Sequence, residues 1–160
     1  MRIVEAEECH IPQIVSLWVE FFDYHYDIDP FFEKSDDAEE SFGTMIGERI
    51  GKDDSLVLVA VEDDRVVGYC LAYVSENPPV VKTRQSGFIS DLAVTSGYRR
   101  KGIGERLLRQ SLAWFKLRGL KSVYLRVLAK NEVARAFWEA EGFETVSLTM
   151  EIDLNTLPGD

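Results

Sequence analysis

Cysteine, histidine and proline are scarce in this chain of 160 residues. Cys9 and Cys70 are the only cysteines, far apart and without metal-ligand spacing, so a reduced, cytoplasmic protein is the expectation. His10 and His25 are too few, beside such sparse cysteines, to build a zinc site, and no metal is expected. No apolar run reaches the roughly 18 residues a membrane span needs, so no membrane partner is expected. The opening Met1-Arg2-Ile3-Val4-Glu5-Ala6-Glu7-Glu8 lacks the apolar core of a secretory signal. Basic residues are rare in the first part of the chain. Residues 1–64 hold 18 acids and 4 bases, a balance of −14, whereas residues 65–160 hold 10 acids and 14 bases, a balance of +4. A net charge of −10 speaks against nucleic acid as a partner, which needs a basic face. The length suits one domain over residues 1–160, since domains run about 100–200 residues.

What is present reads as α/β. Ile3-Val4 suits a short strand, and Pro12 suits a helix start ahead of Ile14, Val15, Leu17, Trp18, Phe21 and Phe22 at helical spacing. Residues 23–40 form an acidic and aromatic stretch broken by Pro30, and a second helix is expected after Ser35-Asp36-Asp37, running toward Ile50. Leu56 to Val61 and Val66 to Val74 read as a hairpin about Glu62-Asp63-Asp64-Arg65. Phe88 to Val94 is a fourth strand, residues 103–118 a helix, Val123 to Val127 a fifth strand and residues 131–141 a last helix. Phe143 to Leu154 is expected to supply one or two final strands.

The strongest chemical signal lies between the fourth strand and its helix. Arg99-Arg100-Lys101-Gly102-Ile103-Gly104 has the spacing Arg-x-x-Gly-x-Gly. Gly102 and Gly104 let an anion approach the backbone, and a helix's first-turn N–H groups have no intrahelical partners. The helix dipole favours negative charge at the same end, so a pyrophosphate fits there. A dinucleotide fingerprint needs glycine where Leu107 stands, and a P-loop needs Gly-Lys-Ser/Thr where Glu105-Arg106 follow.

A second block, Asn131-x-x-Ala134-x-x-Phe137-Trp138 and then Gly142-Phe143, follows in order. With Asp91-Leu92-Ala93-Val94 and the glycine loop, it resembles the GCN5-related N-acetyltransferase superfamily over residues 87–143. The resemblance implies a mixed, mostly antiparallel central sheet flanked by helices, with a bulge splaying the fourth strand from the fifth. It implies acetyl-CoA as co-substrate and no metal. The backbone of Leu92, Ala93 and Val94 would meet the pantetheine arm. Arg99, Arg100, Lys101, Gly102, Ile103, Gly104 and Glu105 would surround the pyrophosphate. Asn131 would hydrogen-bond the arm, with Ala134, Phe137 and Trp138 along it; Asn131 also suits a helix N-cap, and Phe137 also suits the core.

The amine must shed a proton before it attacks a thioester, because an alkylammonium has a pKa near ~10.4. Asp91 is the only acid of the fourth strand and the candidate base, with a structural or substrate-orienting role as the alternative. Some relatives carry Glu-Asp where Ser90-Asp91 stands, and many carry Tyr where Trp138 stands. An indole N–H is not a useful acid, so the thiolate leaves unaided or with Tyr98 or Tyr124. No cysteine is expected near the motif strand, which points to direct attack in a ternary complex. The acceptor is expected to be a small cationic or polyamine-like amine, because residues 20–40 carry nine acids against Lys34 alone, interleaved with aromatic rings. A protein N-terminus or lysine, and a CoA-binding regulatory module without turnover, are the alternatives. Val146, Leu148, Met150 and Ile152 at period two would leave an apolar strand to cover, so a homodimer is expected.

Overall fold

A computed structural model describes residues 1–156. The chain divides into two compact units, residues 1–126 and 127–160. The first holds a five-stranded sheet in the order β1 (Arg2–Glu5), β2 (Ser55–Glu62), β3 (Arg65–Glu76), β4 (Gln85–Val94) and β5 (Val123–Leu125). All neighbours are antiparallel except β4 and β5, which run parallel. Helices α1 (Ile11–Ile28), α2 (Ala38–Arg49) and α3 (Ile103–Leu117) complete this unit. The second unit holds α4 (Glu132–Ala140) and a 3-10 turn at Leu154–Thr156.

Both faces of the sheet are covered, and β2 is accordingly buried from Ser55 to Val61 and apolar from Leu56 to Val61. On one face Ile14, Leu17 and Trp18 of α1 and Phe42 and Ile46 of α2 pack with Val57, Val59, Tyr69, Leu71 and Ala93. Trp18 stacks on Phe42 at 4.5 Å between centroids. On the other face α3 buries Ile103, Leu107, Leu108, Ser111 and Phe115, and the Ser111 hydroxyl lies 3.3 Å from Cys70 Sγ. The β2–β3 turn places Asp63 and Asp64 at φ 47° and 60°, the left-handed pair that matches strand twist in a two-residue hairpin.

One expected element runs longer than its apolar spacing marks, and another does not form. The helical spacing is marked as far as Phe22, and α1 continues through Asp23, Tyr24, His25, Tyr26 and Asp27 of the acidic stretch to Ile28. It stops there because Asp29 precedes Pro30 and is pushed into the extended region, at φ −146° and ψ 117°. The expected strand or strands over Phe143 to Leu154 do not form. Period two gives that segment an apolar face, but among the described residues it has no ladder partner, and a strand needs an edge to pair with.

Gly87 lets α3 lie close on β4, since a Cβ there would sit 2.8 Å from two ring carbons of Phe115. Gly47, inside α2, would place its Cβ at an ordinary 3.5 Å from Ile11 Cδ1. Gly87→Ala is therefore expected to cost about 1–3 kcal/mol by overpacking. Gly47→Ala should gain roughly 0.5–1 kcal/mol from backbone entropy. Urea midpoints of the two variants should move in opposite directions; movement in the same direction contradicts the packing account.

Candidate active site

One extra residue shapes the centre of β4. Leu71 stands opposite Asp91 and Ala72 opposite Ile89, so Ser90 is a bulge without a partner on β3. The β4–β5 ladder runs through Gly87–Val123, Phe88–Tyr124 and Ile89–Leu125 and ends at that point. Beyond the bulge β4 has β3 on one side and, among the described residues, no strand on the other. Thr95 N donates to Val67 O at 3.0 Å, and by antiparallel alternation Ala93 and Asp91 also turn their backbone groups toward β3. Leu92 and Val94 turn theirs to the open side. Beside this opening, a cleft of about 420 Å³ is lined by Tyr73, Ser75, Phe88, Ser90 and Arg126. The Arg49 guanidinium lies 4.5 Å from the centroid of the Tyr73 ring.

The connection from β4 to α3 follows. Arg100 and Gly102 both have positive φ, 61° and 74°, and Gly102 is the N-cap of α3. The first α-helical bond there is Arg106 N to Gly102 O at 3.1 Å, so the N–H groups of Ile103, Gly104 and Glu105 precede any intrahelical acceptor. The Lys101 ammonium lies 4.8 Å from the Tyr98 ring centroid. Glu105 would set a negative charge beside an anion, and its carboxylate pairs with Arg109 one turn on. Arg99 is already engaged. Its Nε donates to Val94 O at 2.9 Å and its Nη2 to Glu20 Oε1 at 3.3 Å.

Asp91 is 8% exposed, and its carboxylate accepts from the Tyr69 hydroxyl at 3.3 Å. Burial raises its pKa from the ordinary carboxylate range, against the opposing pull of the Ser90 and Tyr69 hydroxyls and the charge of His25. Tyr69 is fully buried and its pKa is raised by burial and by the neighbouring carboxylate. Sequence reasoning weighed His25 only as a metal ligand. The fold puts it on the α1 face that packs against β4, with Nδ1 2.8 Å from Phe21 O and its ring 4.2 Å from Phe21 and 5.6 Å from Phe32. Only the pairing of α1 with β4 gives His25 an electrostatic link to Asp91, and that pairing is not written in local spacing.

The expectation that no cysteine lies near the motif strand is corrected: Cys70 pairs with Leu92 across the β3–β4 ladder. It faces α3 rather than the opening, and burial pushes its thiol up to about 12, so it holds its proton and is a poor nucleophile. In the second unit Asn131 caps α4, its Oδ1 accepting from Ala134 N at 3.1 Å. Trp138 sits between Phe137 and Phe143, at 4.9 and 5.3 Å between centroids. Ala134, Phe137 and Trp138 are each half-buried, whereas Tyr124 of β5 is exposed. Among the described residues no three His, Cys, Asp or Glu side chains are grouped to hold a metal. No helix among them is long and apolar enough to cross a membrane.

The model of the acetyltransferase (GNAT) family matches residues 11–143. The chain belongs to this family. It is 34% identical over 85 residues to N-alpha-acetyltransferase 30 of Schizosaccharomyces pombe, covering 53% of this chain and 55% of that protein. It is 26% identical over 111 residues to the [ribosomal protein bS18]-alanine N-acetyltransferase of Salmonella typhimurium, covering 69% and 66%. The chain thus spans about half the length of the first of these relatives and about two thirds of the second. Among solved structures, a mutant of the BH1408 protein from Bacillus halodurans superposes with a TM-score of 0.87 at 24% identity, covering 96% of this chain and 99% of that one. AAC(6')-Iy in complex with a CoA-linked acetylneamine analogue superposes at 0.71 with 17% identity, covering 95% and 96%. The family fold therefore holds here: the sheet is mostly antiparallel, and the fourth and fifth strands part at a bulge.

The raised pKa of Asp91 has a consequence for stability. The unfolded side chain releases its proton near pH ~4 and the folded one at higher pH. Between those points the folded chain binds more protons, so this group's contribution to stability falls as pH rises. Asp91→Asn removes that contribution. Thermal melts should show the variant gaining on the wild type as pH rises from about 4 to 7. Parallel pH dependences would contradict the assignment of a buried, proton-retaining carboxyl.

Proposed function

We propose that the chain is an acetyl-CoA-dependent N-acetyltransferase that acetylates a primary amine of a small cationic or polyamine-like molecule, with residues 1–160 acting as one catalytic domain. The observation that carries this reading is the opened edge of β4 leading into an anion-ready helix start. The open-side backbone groups of Leu92 and the N–H of Val94, whose carbonyl is taken by Arg99, suit the amide-bearing pantetheine arm, with Ala93 holding the strand to β3. Arg100 and Gly102 turn the chain so that the N–H groups of Ile103, Gly104 and Glu105 lead the helix, which suits a pyrophosphate. Lys101 adds charge there. In the second unit Asn131 has its Oδ1 engaged at the helix cap; a contact of its Nδ2 with the arm, and of Ala134, Phe137 and Trp138 along it, is what the family resemblance alone implies.

Acetyl-CoA supplies an acetyl group activated as a thioester. The chain's part is to bind it, hold the amine and accept a proton. Asp91, its pKa raised by burial, takes one proton from the ammonium. The freed nitrogen bonds the acetyl carbon, the carbon–sulfur bond breaks, and the amine's second proton goes to the departing sulfur. A thiol of pKa near ~8.5 leaves without a dedicated acid, so Trp138 need not be one. Direct attack is favoured because the thiol of Cys70 is locked in its protonated form.

The acceptor side is drawn from α1 and the turn after it. Of the nine acids in residues 20–40, Glu20 pairs with Arg99, Asp23 with Lys34, and Asp29 and Asp37 accept local hydrogen bonds. Asp27, Glu33, Asp36, Glu39 and Glu40 are left exposed, and of these Asp27 and Glu33 lie within a few residues of Tyr24, Phe31 and Phe32, where they suit ammonium groups and alkyl chains. A second reading, a protein N-terminus as acceptor, is favoured by the relatives named as N-alpha-acetyltransferases.

CoA thiol release should be measured with polyamines, monoamines and peptides bearing free N-termini. Polyamines are expected to give the highest kcat/KM, with a KM that rises with salt. Asp27→Asn with Glu33→Gln should lower kcat/KM for a triamine about threefold to tenfold and leave a monoamine nearly unchanged. Peptide preference would support the second reading, and turnover with no amine would reduce the chain to a CoA-binding module. Gly104→Glu should weaken acetyl-CoA binding by about tenfold or more in calorimetry, by setting charge and bulk at the helix start. Undiminished affinity in the folded variant would contradict the loop assignment.

The reading includes a homodimer. Val146, Leu148, Met150 and Ile152 are 64–90% exposed, an apolar stripe of the kind a second copy covers. Sedimentation should show a mass that grows with concentration; a constant monomer mass would refute the dimer.

A further inference from the structure

Glu20 stands within α1, and neither the cofactor nor the proton transfer described above uses it. Its carboxylate gathers three donors from one short stretch. Oε2 accepts from Thr95 Oγ1 at 2.8 Å, and Oε1 accepts from Ser96 N at 2.9 Å and from Arg99 Nη2 at 3.3 Å. Ser96 opens the 3-10 turn Ser96–Tyr98, so Glu20 caps that turn from another element. Arg99, held by Glu20, closes back on Val94 O at 2.9 Å. The segment from the end of β4 to Arg100 is thereby tied to α1 at both ends. An exposed ion pair alone would hold little. Here the same carboxylate also satisfies a backbone N–H and a hydroxyl.

The geometry points to Glu20 and Arg99 as a positioning pair that sets the course of the β4–α3 connection before any ligand arrives. We infer that Arg99 serves the cofactor through Glu20 and Val94 rather than as a direct phosphate partner. The inference rests on the proposed CoA site and changes one assignment within it. Two of the Arg99 hydrogen-bonding groups, Nε and Nη2, face the strand end and α1. Direct attraction of phosphate falls instead to Lys101 and the N–H groups at the start of α3.

The two assignments predict different mutant patterns. If Arg99 touched phosphate directly, Glu20→Ala would free it, and CoA would bind as well as before or better. If the pair positions the turn, Glu20→Ala and Arg99→Ala should each weaken CoA about five- to tenfold, the size of a lost capping interaction. The double variant should then be no weaker than the worse single one, because both remove one device. Lys101→Ala combined with Glu20→Ala should be additive. At saturating CoA, kcat should stay within about threefold of wild type, so the effect is on KM. Glu20→Gln keeps one acceptor oxygen for Ser96 N and offers its amide NH2 to the Thr95 hydroxyl oxygen, so it should lose less than Glu20→Ala.

Calorimetry with CoA measures these affinities, and amide hydrogen exchange without ligand judges the brace by itself. Glu20→Ala should speed exchange at Ser96, Tyr98 and Arg99 by about fivefold or more, with the sheet core unchanged. Unchanged exchange at these amides, or CoA affinity that holds or improves in Glu20→Ala, would overturn the inference. If the wild type bound no CoA, the proposed activity would fall, while the exchange result would still decide whether Glu20 and Arg99 set the turn.

Discussion

The bulge at Ser90 is the constraint on which the site depends. A strand inside a sheet spends its backbone on both neighbours. One extra residue turns β4 enough that β5 follows it only as far as Ile89, and the groups of Leu92 and Val94 are left facing an opening. β4 stays paired with β3 on both sides of the bulge, with the register shifted by one residue, so the opening has a hydrogen-bonded wall. Gly87 and the Phe115 ring anchor the strand to α3 below the bulge, and the Thr95-to-Arg99 turn anchors it above. The opening is thus held at both ends by packing and hydrogen bonds within residues 1–126.

Electrostatics divide the work. The basic connection Arg99–Lys101 and the dipole of α3 favour an anion at the end of β4. The acids of α1 and the following turn lie on the helix that packs across the other face of the sheet, and part of their charge is spent on structure rather than on a ligand. Asp91 lies between these regions, buried enough to retain its proton to higher pH and close enough to His25 for an imidazolium to oppose that effect. Burial and counter-charge acting in opposite directions are what poise a carboxyl for proton exchange.

Much of this was legible in the sequence because it was local. The Arg-x-x-Gly-x-Gly spacing, the apolar face of α3 and the Asn131 cap are written within a few residues of one another, and each lies on the expected element. The hairpin about Asp63-Asp64 was readable for the same reason. What was not legible required a partner from elsewhere in the chain. Cys70 is distant from Leu92 in sequence, and only ladder register sets them side by side. Glu20 meets Thr95, Ser96 and Arg99 only once α1 has packed on the sheet. The period-two pattern of residues 144–152 shows the reverse failure, a strand-like face without a strand to pair with.

Residue-resolved amide exchange with and without CoA tests the central claim most directly, since the account makes opposite statements about adjacent residues. CoA should protect the amides of Leu92 and Val94 and those of Ile103, Gly104 and Glu105, while that of Ala93, already bonded to β3, should change little. Equal response at Ala93 and its neighbours, or no protection at Leu92 and Val94 in a chain that binds CoA, would contradict the claim that the Ser90 bulge opens the binding edge.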